Sequence, residues 1–374
     1  MKLLSTFCLL LFSSVTSLCA QEDAGKICLE GNRLFIVVPK FGFSIYDVSQ
    51  PTAPKEIRFV ECPGILDIAV RGEYIYASRY QDLFLLKVPK DPTQPDEVVR
   101  SRQNVFPSRV PTTTVPQYTD VQFFRHFDAF QKDIEERGDD ASPMPMVSVN
   151  GSMSCIALAG DYLYVVDGSS LRTYLAKPTD PNALESTNEQ DLSGYNLETV
   201  WSTGNNRLYL GSQTGVLIYD ISTRQKPALL GVYEHTFACD PVVVSGNFAY
   251  STLRSGTKCK NTNNELVIID ISNPKSPVRA NKVPMTNPHG LAVQGTTLTV
   301  CDGRNGFKVF DVSTPTSPRQ VSHTTGLTTY DVLFDAIKRT AYISVPKELH
   351  IYSLEQPSNP LQQSVIVLPN FNRP

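Results

Sequence analysis

Leu266-Val267-Ile268-Ile269-Asp270-Ile271-Ser272-Asn273-Pro274 is the stretch that decides the fold. Four apolar residues in a row, mostly β-branched, predict a strand buried on both faces. Asp270 and Ser272 can fold their side chains back onto nearby backbone N–H groups, and Asn273-Pro274 turns the chain. The same order of strand, acidic stop and turn recurs at 44–49 (stop Asp47), 216–222 (stop Asp220) and 307–313 (stop Asp311). Degenerate copies at 83–88, 170–175 and 349–354 bring the number to seven. Their spacing, roughly 40 to 50 residues, is that of a structural repeat.

A second signal precedes each stop. A short apolar strand runs into a glycine followed by a polar residue, and an aromatic opens the next strand. Gly31-Asn32 before Phe35, Gly72-Glu73 before Tyr74, Gly160-Asp161 before Tyr162 and Gly246-Asn247 before Phe248 follow this order; Gly295-Thr296 keeps the same frame. The glycine supplies the positive φ that a tight hairpin needs. Four antiparallel strands per repeat make the blade of a β-propeller. A single blade cannot bury both faces, whereas a closed ring can. The expected fold is all-β, a seven-bladed β-propeller of four-stranded antiparallel blades with a partly helical insertion. The single tryptophan, Trp201, precedes Ser202, so the WD signature is missing. The repeats start with an inner strand near Gly25 and end with an outer strand near 364–368. The ring should therefore close by packing, with no blade shared between the termini.

Outside the repeats the chain divides simply. Residues 1–20 read as a signal peptide: Lys2 gives a positive n-region, and Leu3 to Val15 an apolar stretch too short to span a bilayer. Cleavage after Ala20 predicts an exported protein, periplasmic, outer-membrane-associated or extracellular. The alternative is a lipid anchor at Cys19, for which Leu18 is a poor preceding residue. Residues 21–374 form the propeller, interrupted by an insertion at 101–150 between blades 2 and 3. There Phe123, Phe127, Phe130 and Ile134 share one face of an amphipathic helix, with Gly138 as its stop. This segment reads as a plug or cover, or as a partner-binding lid. No later stretch has the length and apolarity of a transmembrane segment, and a net charge of −3 offers no basic footprint for nucleic acid.

Chemistry in a propeller is expected where the leading residues of the inner strands ring one mouth of the central channel. Those residues are Lys26, Asp67, Ser154, Glu198, Asp240, His289 and Asp331. Arg254, after the second strand of blade 5, joins them as a candidate ligand-binding residue. A hydrated, acidic mouth of this kind could hold a divalent cation such as calcium. It could also pair His289 with a carboxylate for acid–base work, or simply be wet scaffold. Gly290, beside His289, permits close backbone approach. Asp302-Gly303-Arg304-Asn305-Gly306 resembles a calcium loop but lacks the distal glutamate and fits a blade turn. No GxSxG elbow, HExxH helix, P-loop or Rossmann fingerprint occurs.

Of the eight cysteines, Cys8 and Cys19 lie in the signal segment. The other six are Cys28, Cys62, Cys155, Cys239, Cys259 and Cys301, and an exported protein can oxidise them. Several should be small buried hydrophobes. Cys239 and Cys259 sit at strand ends that a hairpin brings back together, which makes them the preferred disulfide.

The stretch from Leu266 to Asp270 closely resembles the LVIVD repeat that names a family of exported bacterial β-propellers. Segments 63–70, 151–164, 239–244, 252–259 and 285–291 look like further family segments. They are similar to envelope proteins of Bacteroidetes-type bacteria, many of them lipoproteins; the weak lipobox here departs from that pattern. The resemblance implies the fold and export and brings no established activity. Cys239 and Cys259 match its recurrent cysteine pair. The resulting expectation is a non-catalytic secreted or cell-envelope binding or scaffold module with a protein or glycan partner. The alternative is a hydrolase or lyase using a polar or metal-binding site at the channel mouth.

Overall fold

Each apolar run pairs antiparallel with its neighbours in sequence, and in the computed structural model of the chain the result is seven separate sheets. The structure describes residues 26–38, 41–107, 148–150, 152, 154–202, 206–235, 241–255 and 264–368. In chain order the blades span 27–61, 65–102, 156–191, 197–234, 242–284, 291–324 and 331–367. No helix occurs among the described residues. The helix expected within 101–150, the signal segment and the Cys239–Cys259 pair all fall outside them.

The repeated stretch forms the third strand of each blade. Within Glu265–Asp270, Leu266 to Ile269 are at most 1% exposed, because neighbouring blades cover both faces of the sheet. Each acidic stop then folds back as the sequence suggests. Oδ1 of Asp47, Asp220, Asp270 and Asp311 accepts the N–H two residues on, from Ser49, Ser222, Ser272 and Ser313, at 2.7–2.9 Å. The hairpin glycines Gly31, Gly72, Gly160, Gly246 and Gly295 take φ of 55–61°, the left-handed region that other residues avoid. Every blade also carries a feature with no signature in the sequence. The register slips once between its third and fourth strands, as at Ile268/Ile269 and Ile351/Tyr352. Such a bulge bends the outer strand and adds twist.

Successive inner strands lie side by side, and Asp331–Asp335 of blade 7 also lies against Ile27–Glu30 of blade 1. No sheet combines strands from the two ends of the propeller. Closure instead rests on a shared core of Ile27, Leu34 and Tyr46 from blade 1 with Tyr342, Leu349 and Ile351 from blade 7. At the periphery, Ser364 Oγ donates to the Pro51 carbonyl at 2.6 Å. Ser322 makes the matching bond from blade 6 to Pro357 of blade 7 at 2.9 Å. The proline turn after the stop thus accepts a bond from the preceding blade at both joints.

The insertion is tied down at both ends. After Glu97–Arg102, Val105 and Phe106 bury themselves in the core between blades 2 and 3, and Arg172 donates to the Val105 carbonyl at 2.6 Å. At the far end, Ser148–Asn150 pairs antiparallel with Ile27–Glu30, matching Asn150 to Cys28 and Ser148 to Glu30. Blade 1 thereby gains a fifth strand on its channel side.

Candidate functional site

That fifth strand leads the chain into the channel. Ser152 follows it, buried, with its Oγ accepting from Leu291 N of blade 6 at 2.9 Å and donating to Asp331 Oδ1 of blade 7 at 3.2 Å. Two residues later the chain has crossed to the other side. Ser154 Oγ donates to Asp67 Oδ2 of blade 2 at 2.8 Å, and Cys155 N donates to the same oxygen at 2.6 Å. Ser148–Asn150 thus lies on blade 1, Ser152 bridges blades 6 and 7, and Ser154 and Cys155 bond to blade 2. A hydrated mouth was expected at Asp67 and Asp331; both carboxylates are instead buried, at 1% and 3% exposure. The physical reason is the crossing segment, whose serine hydroxyls and amide take the place of water.

The two carboxylates are not equivalent. Asp67 accepts from Ser154, from Cys155 N and from its own neighbour Ile68 N at 2.9 Å. Asp331 accepts from Ser152 and from Val332 N at 2.9 Å, both at Oδ1, while Oδ2 has no partner among the described residues. Burial without enough donors disfavours the charge. It pushes the Asp331 carboxyl up to about 6, against the pull of Lys26 and its hydrogen bonds. Gly290 explains how the chain fits: a Cβ there would lie 2.1 Å from Asp331 Oδ1. The close approach expected at this glycine is real.

His289 and Arg254 come together beside this pair. The His289 backbone is pinned by its N–H to the Cys301 carbonyl at 2.8 Å and by Thr252 Oγ1 on its own carbonyl at 2.5 Å. Its ring lies with Nδ1 2.9 Å and Nε2 3.2 Å from one terminal nitrogen of Arg254; Asn287 Nδ2 is 3.2 Å from Nε2. Tyr330 stands edge-to-face against the ring, with centroids 5.3 Å apart. Burial, and then the neighbouring guanidinium, pull the imidazole down to about 3, with Asp302 a weaker opposing influence. His289 is thus neutral at physiological pH and serves as an acceptor for Arg254. Burial also lowers the Arg254 guanidinium below its usual range.

Asp302 is the supporting residue that its sequence context disguised. Its carboxylate is fully buried and receives Lys308 Nζ at 2.7 Å, Asn305 Nδ2 at 3.0 Å, and the N–H groups of Thr286 and Asn287 at 3.0 and 2.7 Å. Burial pushes its carboxyl up, but these donors outweigh it and hold the group below the usual carboxylate range. The 302–306 segment is a blade turn that fixes the strand entry carrying His289. Glu198 is half-buried and accepts from Gln213 Nε2 at 3.0 Å. Asp240 lies outside the described residues. Among the described residues no three His, Cys, Asp or Glu side chains gather as a metal-ligand set. Cys28, Cys62, Cys155 and Cys301 are buried thiols; burial pushes Cys62 up to about 12.

Seven radial antiparallel sheets around a channel define a β-propeller, and solved structures match it in fold. The periplasmic gluconolactonase PpgL of Pseudomonas aeruginosa superposes with a TM-score of 0.63 at 10% identity, over 92% of this chain and 96% of that one. BamB of Moraxella catarrhalis gives 0.53 at 10% identity, over 87% and 80%. The computationally designed Ika8 protein gives 0.56 at 8% identity, over 94% and 92%. At such identities these similarities speak for the fold alone. Comparison with curated protein sequences finds no match. The repeat itself is more specific: the LVIVD repeat matches at residues 22–61, 150–171, 259–283 and 288–325. The chain thus carries LVIVD repeats on a seven-bladed β-propeller.

Proposed function

We propose that this is a non-catalytic binding or scaffold propeller, exported to the cell envelope or beyond, that engages a protein or glycan partner at its channel mouth and rim. The observation that carries this reading is that Ser152, Ser154 and Cys155 N of the chain itself bond to the mouth carboxylates Asp331 and Asp67. Ser154 and Cys155 N take Asp67 Oδ2, and Ser152 takes Asp331 Oδ1, so both carboxylates are already engaged by the chain at one oxygen that a metal ion or an attacking water would use. His289 points the same way. Among the described residues its ring contacts Arg254 and Asn287 rather than a carboxylate, and a group held down to about 3 has little proton affinity near neutrality.

A hydrolase or lyase at the same mouth is the second reading, favoured by the likeness in fold to a periplasmic gluconolactonase. Metal analysis and thermal melting of the full chain, with and without chelator, separate the two. The binding reading expects no stoichiometric divalent ion and an unchanged Tm. One tightly held ion such as calcium, with a chelator-sensitive Tm that His289→Ala abolishes, would overturn it in favour of the enzyme.

A further inference from the structure

The charges around the channel mouth are unequally served. Asp302 has Lys308, Asp67 has Ser154 and the Cys155 amide, Asp331 has Ser152, and Glu198 has Gln213. Arg254 is the exception. It is half-buried, and one terminal nitrogen is used on neutral His289. No carboxylate among the described residues lies within ion-pair distance of it, and none of them accepts a hydrogen bond from its Nε or other terminal nitrogen. Glu198 and Tyr330 are near enough to feel its charge without touching it. A half-desolvated guanidinium with an N–H edge that no described residue takes up is a fixed anion receptor, and its fork matches the two oxygens of a carboxylate. The acidic neighbours select among anions, because Glu198 and the buried Asp302 and Asp331 penalise a dianion more than a monoanion. Tyr330, edge-to-face against the His289 ring and close enough to act on the Arg254 charge, and Asn287, whose amide lies 3.2 Å from His289 Nε2, are both half-buried and suit hydroxyl groups.

We infer that this corner of the mouth binds a small hydroxylated carboxylate of the uronic-acid type. Arg254 takes the carboxylate, His289 holds the guanidinium in place, and Tyr330 and Asn287 contact the hydroxyls. The assignment rests on the binding reading above and supplies its ligand class. His289 is a positioning residue here: as a neutral acceptor it orients Arg254 without competing for the anion. A protonated imidazole would instead repel the guanidinium and spoil the receptor.

The test is calorimetric titration of the full chain with sodium D-glucuronate, alongside D-glucose and inorganic phosphate. Glucuronate is expected to bind, glucose not to, and phosphate to bind more weakly than glucuronate. Arg254→Met should weaken glucuronate about tenfold or more. Arg254→Lys should retain part of the affinity, since it keeps the charge but loses the fork. Tyr330→Phe should weaken glucuronate while leaving acetate unchanged; with the Lys variant, it keeps the test decisive if the Met variant does not fold. Absence of glucuronate binding, equal binding of glucose, preference for phosphate, or wild-type affinity in a folded Arg254→Met protein would each overturn the assignment. Such a failure leaves the metal and chelator result untouched, so the broader binding reading stands or falls separately. Proton NMR should show the glucuronate unconsumed; its conversion would overturn both.

Discussion

Asp331 offers a sharp quantitative prediction. Its carboxyl is buried, receives hydrogen bonds on Oδ1 only, and sits at about 6 instead of the usual value near 4. A raised folded-state pKa means that the native protein holds this proton more tightly than the unfolded chain. Its contribution to stability is therefore full below pH ~4 and is lost as pH rises through ~6. Two pKa units correspond to about 3 kcal/mol. Asp331→Asn removes the titration but keeps an oxygen to accept from Ser152 and places an amide donor at the position of the bare Oδ2. The difference in unfolding free energy, variant minus wild type, should thus rise by about 3 kcal/mol between pH 4 and pH 7.5. Urea unfolding of both proteins at the two pH values measures it, and the subtraction cancels the other titrating groups. A difference that stays flat with pH would refute the idea that an under-donated carboxylate sits in this channel.

Three further outcomes follow from the same geometry. The His289 imidazole is depressed to about 3, so its stabilising contribution is present above the unfolded value near 6.5 and lost as pH falls; His289→Gln should flatten the loss of urea stability between pH 6.5 and 4. Gly290→Ala would drive a Cβ to 2.1 Å from Asp331 Oδ1, and overpacking there should cost about 1–3 kcal/mol by denaturant unfolding. Ile351→Ala opens a cavity in the core shared by blades 7 and 1 and should cost about 2–5 kcal/mol, lowering the urea midpoint of the whole propeller rather than of one blade.

The parts of this molecule that were legible in the sequence are those fixed by local chemistry. The strand, acidic stop and proline turn depend on residues within a few positions of each other, and the Asx bonds at Asp47, Asp220, Asp270 and Asp311 form as read. Gly290 was equally readable, because only a side chain's absence allows its approach to Asp331. The arrangement around the channel was not legible. Arg254 lies against His289 and Gly290 against Asp331, while Ser152, which bridges blades 6 and 7, is separated from Asp331 by 179 residues. Nothing in the sequence around Ser152 distinguishes a serine that enters a channel from one on a loop. The role of Asp302 was hidden for a related reason, since its carboxylate serves the Thr286 and Asn287 amides of the preceding segment rather than an ion. Likewise the bulge in every blade reflects how packed sheets bend, which residue type alone does not encode.

The central claim is that the chain enters its own channel, with Ser152, Ser154 and Cys155 N bonded to Asp331 and Asp67. Hydrogen–deuterium exchange with mass spectrometry on the full chain tests it most directly. Peptides covering 148–155 should exchange as slowly as the inner strand Ile27–Glu30 with which Ser148–Asn150 pairs. Exchange of those peptides within seconds, while the inner strands stay protected, would contradict it and return the channel to solvent or to a ligand.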